Sequence, residues 1–494
     1  MRRRVSGAAS NPGTRLMQRS AKTVLSVAVL VLAVTQTNGA GAASTPSAAP
    51  TPGIACDRGS LPETTQGRAP LADVATGRYA QGYTCNAKVI SHVGTSGGYR
   101  VERYVDAAGH ECAFADSTLL YPSNLPDQTA EGPGTYVYDL HDPAHPVQTD
   151  TLITPAMQSP HESLRLNVQR GLLVADMAYP TTNPGIVDVY DVSKDCLHPA
   201  LQSSTPLGVL GHEGAFSPDG RTFWVASLYA HTLAAVDLTN PKLPQVVFFS
   251  ATYQSHGLSI SNDGNRLYMA ESAFQGSTGD FSGLTVLDVS QVQARVPVPA
   301  VPIVSRLTWP QVSTPQNATP FTRAGHRYLL ETDEFGSGAA IGAARIIDIQ
   351  DEKQPFVVSN LRLAVNAPEA QGPDLEADPG NDQAFQGYQG HYCTVPSRID
   401  PNTIACNFIM SGLRVFDITT PASPKEIAYV NKPILKGSNV NPLKAGAFAM
   451  SAPAYDETSG DIWWTDGNSG FYVVRMTGAA ATRPFAKTVL LPGN

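Results

Sequence analysis

Long amphipathic helical patterns are scarce in this chain of 494 residues, and 42 glycines and 39 prolines punctuate it, which makes an all-β composition. Basic blocks are absent. Lys+Arg 34 against Asp+Glu 42 is mildly acidic, so nothing favours nucleic acid or an anionic membrane surface as a partner. No Cys-x-x-Cys is present, which removes the usual redox and metal spacings of cysteine. A phosphate-binding loop and His-Glu-x-x-His are missing too, so the chemistries those motifs carry leave no trace.

The start of the chain differs in kind. Residues 1–42 hold basic residues, then the apolar run Thr23 to Val34, then Ala40-Gly-Ala42, the order of an export signal with a small-residue cleavage site. The run is too short to span a membrane comfortably, so no span is expected after cleavage and the product is expected to be secreted or periplasmic. Translation from Met17 would give a signal of more ordinary proportions. Residues 43–80 read as an Ala/Pro/Ser-rich tether, to about Gly53, and an N-terminal extension, leaving 81–494 for the folded domain. Cys56, Cys85, Cys112, Cys196, Cys393 and Cys406 all lie beyond the signal, and an even number in an exported chain implies disulfides. Cys393 and Cys406 flank one strand-turn-strand segment and form the expected pair; three connectivities remain open for the other four.

What the chain does have is a repeated phrase. Gly412-Leu-Arg-Val-Phe-Asp417-Ile-Thr-Thr-Pro421-Ala-Ser-Pro424 is an alternating apolar run that ends in an aspartate and a turn. Copies end at Asp139, Asp191, Asp237, Asp288 and Asp348, and a degenerate one has Arg475 at the aspartate position. The carboxylate can accept backbone N–H groups just after it and so start the turn to the next strand, a structural role. Copies lie about 46 to 69 residues apart, the length of a four-stranded blade with its loops, so seven copies predict a seven-bladed β-propeller. Residues Cys85 to Ile90 are expected to lend an outer strand to the last blade and close the ring.

Blades two to four share a regular hairpin that opens with histidine and ends with a polar residue: His161 to Asp176, His212 to Ser227 and His256 to Glu271. Blade five has Asn317 at the histidine position with Glu331 and Asp333 near the other end; blade seven offers Ser451 and ends at Asp466. Blade six opens with His391, and two extra residues precede its second strand. The first strand of a propeller blade lines the central channel, so His161, His212, His256 and His391 are expected at one mouth. Asp176, Glu271, Glu331, Asp466 and Asn317 are expected around them as ligand-binding residues. Four imidazoles with carboxylates suit copper, zinc or iron with positions left open for a ligand. Glu162 and Glu213, next to their histidines, are placed to orient the imidazoles or act as bases. The competing role of such histidines is to hydrogen-bond a neighbouring blade. The long acidic segment Asn366 to Gly390, with Asp374, Glu376, Asp378 and Asp382, reads as a solvated insertion or a cation site.

On the Gly412 to Pro424 phrase and its copies, the chain resembles the LVIVD-repeat proteins, mostly secreted β-propellers, over roughly residues 80 to 480. It is more distantly similar to the selenium-binding protein and methanethiol oxidase propellers, whose family implies a metal held by channel histidines, here His161, His212, His256 and His391. The hairpins Phe216 to Arg221 and Ile260 to Asn265 also look like those of lactonase-type propellers. Two functions follow as expectations: an exported monomer that binds a small molecule or protein at the channel mouth, or a metal-dependent enzyme of oxidoreductase type.

Overall fold

Each repeat builds one sheet. The computed structural model describes residues 48–482 and 485, apart from 118–133, 179–183, 229, 273–280, 310–313, 335–341, 368–369, 371–386 and 433–446. Its strands form seven antiparallel sheets, six of four strands and one of five, which is the seven-bladed propeller that the repeats predict. The expected export signal lies outside the described residues, as do Asp374, Glu376, Asp378 and Asp382. No helix among the described residues is long and apolar enough to cross a membrane.

Burial falls from the axis outwards. In the third blade Glu213–Phe216 and Thr222–Ser227 are buried throughout, whereas the outermost strand, Gln245–Ser250, is exposed or half-buried at every residue. The inner strands are therefore apolar on both faces, since each sheet packs face to face with two neighbours. Between the second and third blades, for example, Leu172, Val174 and Val189 meet Phe216, Phe223 and Val225.

All six repeat aspartates make the same turn. Asp139, Asp191, Asp237, Asp288, Asp348 and Asp417 each accept the backbone N–H two residues on, at 2.8 to 3.0 Å. Outer-strand hydroxyls then tie blade to blade: Ser203 donates to the Pro241 carbonyl and Ser359 to that of Pro421.

The ring closes by a borrowed strand. Ala87–Val93 pairs antiparallel with Gly470–Met476 and completes the last sheet from the other end of the chain, as its sequence predicts. Just before it, Tyr83–Cys85 adds a fifth strand to Lys425–Asn431 of blade six. Thr51 and Ile54 donate backbone hydrogen bonds to Arg362 and Glu426, and the buried Arg414 is paired with Glu63 at 2.6 Å and Glu426 at 3.1 Å.

Three disulfides are present, Cys393–Cys406 as expected, with Cys56–Cys85 and Cys112–Cys196. Cys112–Cys196 spans 84 residues and joins blade one to blade two, whereas Cys393–Cys406 spans 13 within one hairpin. Because a disulfide restricts the unfolded chain more as its loop lengthens, replacing Cys112 and Cys196 by alanine is expected to cost about 4–5 kcal/mol, against about 3 kcal/mol for Cys393 and Cys406. Urea unfolding of the two double variants measures the order; equal or reversed losses would refute it.

Candidate metal centre at the start of the innermost strands

The histidines meet. His212, His256 and His391 stand at the start of innermost strands and His161 in the turn before Arg165–Asn167, and ring centroids lie 4.4 Å apart for His161 and His212 and 4.9 Å for His212 and His256. Tyr99, which takes the same place in blade one, bridges the gap, 4.3 Å from His161 and 5.4 Å from His391. All four imidazoles are buried. His161 holds a left-handed backbone, φ 49°, which is uncommon for a residue with a Cβ.

In blades four to six a β-bulge sets the register. Ser255 and Gly257 oppose consecutive residues of the neighbouring strand, as do Pro315 and Asn317, and Gly390 and Tyr392. The extra residues are His256, Gln316 and His391. A bulge re-aims one side chain out of the pleat. Gln316, and not Asn317, is thus blade five's member of the histidine layer: its Nε2 donates to Glu162 Oε2 at 2.5 Å and to the Tyr392 hydroxyl at 2.8 Å.

Two carboxylates hold the layer together. Glu162 lies 3.3 Å from His212 Nε2 through one oxygen and 3.3 Å from His391 Nε2 through the other. Glu334, at the end of the second strand of blade five, lies 3.3 Å from His256 Nε2 and 3.5 Å from His391 Nε2. The tautomers follow from the other ring nitrogens. His256 Nδ1 donates to the Pro315 carbonyl at 2.8 Å and His391 Nδ1 to that of Met450 at 2.6 Å, because a carbonyl only accepts. In neutral rings both Nε2 lone pairs then face the carboxylates.

Charge in the layer is strongly coupled. Burial opposes ionisation of Glu162, yet His212, His391 and His161 hold its carboxyl well below the usual range. Burial likewise disfavours charge on His391, but Glu162 and Glu334 outweigh it and push that imidazole up to about 9. For His256 burial wins, and its pKa falls below the ordinary imidazole value.

One residue further along the strands lies a second buried layer. Glu213 is gripped there by Arg100 and Arg165, each at 2.5 Å, and by Asn317 Nδ2 at 2.6 Å. It also accepts the Leu258 N–H at 3.2 Å, and a Cβ at Gly257 would overlap its carboxylate, so this approach requires glycine. Glu213 therefore anchors arginines and does not orient His212, contrary to the sequence expectation. Burial nonetheless pushes its carboxyl up to about 7.

Other expected members point elsewhere. Glu271 accepts the Thr285 hydroxyl and pairs with Arg306, on the outer side of its blade. Glu331 pairs with Arg345, which also binds Asp333 at 2.6 Å and stacks over Trp309, so these groups neutralise one another inside blade five. Asp466 accepts the backbone N–H groups of Phe448 and Asn468 and shapes a turn. All three follow from strand alternation: a residue at a strand end reaches the axis only if its side chain lies on the right side of the pleat. Asp176 is fully buried near His212, its carboxyl pushed up to about 7 by burial. Sequence reasoning missed Glu334, Gln316, Tyr99 and Arg100. Counting Tyr99 at the histidine register of blade one would have found the third and pointed to the fourth.

No family model matches the chain, and a search of curated proteins finds no match. Among solved structures, the chain is similar to a protein from Lactobacillus plantarum, at 13% identity over 74% of this chain and 96% of that one, TM-score 0.49. It is similar to the periplasmic gluconolactonase of Pseudomonas aeruginosa, at 14% identity over 74% and 96%, TM-score 0.44. A third likeness is to hydrazine synthase of Kuenenia stuttgartiensis, at 10% identity over 78% and 97%, TM-score 0.46.

Proposed function

We propose that the chain is an exported propeller, of the LVIVD kind it resembles, whose histidine layer binds one transition-metal ion through His161, His212, Glu162 and a further imidazole from His256 or His391. The observation that carries this reading is a set of distances. Imidazole Nε2 and carboxylate oxygen stand 3.3 to 3.5 Å apart at four contacts. Charge-assisted N–H···O bonds are shorter, about 2.7–2.9 Å. Ligands bound about 2.1 Å from a tetrahedral ion lie about 3.4 Å from one another. The ligand atoms of His161, Glu162 and His212 all fall within 4.8 Å of each other, so small side-chain movements bring them to one ion. The Nδ1 donors of His256 and His391 to backbone carbonyls are the usual support of a metal-binding imidazole.

Bound there, zinc would supply Lewis acidity, and copper or iron would add electron transfer. The enzyme reading, an oxidoreductase similar to the methanethiol oxidase propellers, accordingly needs copper or iron, since zinc has no redox chemistry. A second reading rests on the raised pKa of His391: a charged imidazole clamped by Glu162 and Glu334, with no ion, would be purely structural.

Elemental analysis decides between them. Purified mature protein is expected to carry about one equivalent of copper, zinc or iron, and the variant His212→Ala/His256→Ala to bind it at least about a hundredfold more weakly while keeping its circular dichroism. Failure to take up any of the three ions on reconstitution would sink the metal reading.

Stability against pH gives an independent test. The folded pKa of His391, about 9, stands above the ordinary 6.5, so without metal its charge stabilises the fold fully below pH 6.5 and that contribution is lost as pH rises through 9. The loss is about 3 kcal/mol. Metal binding needs neutral imidazoles, so the stabilisation by added zinc over a chelator control is expected to grow from pH 6 to pH 9. Urea midpoints measure it; a zinc effect that shrinks over this window would favour the clamp.

A further inference from the structure

At the other end of the innermost strands the channel widens into a cavity of about 840 Å³, and none of the four layer histidines lines it. The buried layer of Arg100, Asn317 and Tyr392 forms its floor. Its volume falls in the range of small-molecule sites, about 300–1,000 Å³.

The turn of blade six crosses this end. The extra residues between Gly390–Thr394 and Thr403–Phe408 reach under blade five, where Thr322 N–H donates to the Arg398 carbonyl at 2.8 Å and Ala324 N–H to Asp400 Oδ1 at 2.6 Å. This strap fixes the Arg398 side chain in the cavity wall, 5% exposed. Its Nη1 donates to the Ile260 carbonyl at 2.6 Å, but Nε has no hydrogen-bond partner. No carboxylate among the described residues is paired with it; Asn262 Oδ1 stands at 3.4 Å.

A buried guanidinium is rarely left without an anion, because desolvation of the charge then goes uncompensated. Around the floor Arg100 and Arg165 are paired with Glu213, and Glu162 and Glu102 add to the negative field on Arg100; burial pushes the Glu213 and Glu102 carboxyls up to about 7. Of Arg100, Arg165 and Arg398, the last is the guanidinium without a paired carboxylate among the described residues. Burial first, and then the neighbouring Arg165 cation, hold the Arg398 pKa down to about 10, the sign of a cation short of a counter-ion. Phe216, Leu258, Tyr455 and Phe485 give the wall an apolar and aromatic side, while the other wall cations Arg103 and Arg475 are already paired with Glu111 and Asp456 and with Asp461.

We propose that this cavity binds a small organic monocarboxylate, its carboxylate on Arg398 and its apolar body against Phe216, Leu258, Tyr455 and Phe485. One unpaired cation matches one negative charge, and the aromatic wall favours an organic acid over inorganic phosphate. The site is separate from the histidine layer and does not depend on a metal there.

Calorimetric titration of the intact mature protein tests this with sodium benzoate as probe, benzyl alcohol as its neutral counterpart and inorganic phosphate as the alternative oxyanion. Benzoate is expected to bind once per chain and at least tenfold more tightly than either of the others. Arg398→Gln is expected to weaken benzoate at least tenfold and Arg398→Lys less, with His212→Ala/His256→Ala leaving it unchanged. Absence of benzoate binding, equal binding of benzyl alcohol, or phosphate as tight as benzoate would overturn the assignment. Loss of benzoate binding in the histidine variant would also overturn it, by moving the site to the other layer. Should Arg398→Gln fail to fold, the benzyl alcohol comparison and Arg398→Lys still decide.

Discussion

Closure of the ring is the constraint on which everything else rests. Every blade is apolar on both faces, so each sheet must be flanked on both sides, and an open array would leave two apolar faces and two strand edges in water. Pairing Ala87–Val93 with Gly470–Met476 removes that loss. Once the circle is complete the starts of the inner strands have nowhere to go but together. Glu162 of blade two can then stand 3.3 Å from His391 of blade six, although neither has a neighbour in sequence that predicts the contact.

The axis that results carries more buried charge than a structural core requires. Burial taxes each of these groups, and they stay ionised only where partners return the lost hydration. Imidazoles return it to Glu162, and two arginines and an amide return it to Glu213. The consequence is a channel with two ends of unlike character: buried imidazoles with Glu162 and Glu334 at one, and Arg398, with no paired carboxylate among the described residues, at the other. Glu213 sits between them, and Arg100 ties the two layers by donating to the Glu162 carbonyl at 3.0 Å.

Much of this was legible from composition and spacing. The repeat aspartates announced both the sheets and the turns, because an i to i+2 hydrogen bond is local and needs nothing beyond the next two residues. The convergence of His161, His212, His256 and His391 was legible too, as blade number and register imply it. Glu271, Glu331 and Asp466 were misplaced because a strand end says where the backbone arrives and not which side of the sheet the carboxylate takes. Asn317 was misplaced by one residue because the bulge at Gln316 has no sequence mark; only its pairing with Asp333 and Thr332 reveals it.

By itself, then, the sequence determined the local chemistry: strand periodicity, aspartate turns, the number of sheets and the Cys393–Cys406 pair, all of which depend on residues close together in the chain. Tertiary structure decided what depends on distance: which cysteines among the other four join, that Glu334 serves His256 and His391, and that the strap of blade six carries Arg398 to the wall of blade four. The physical reason is that burial and pairing energies are properties of the closed ring, and no stretch of chain possesses them before the ring exists.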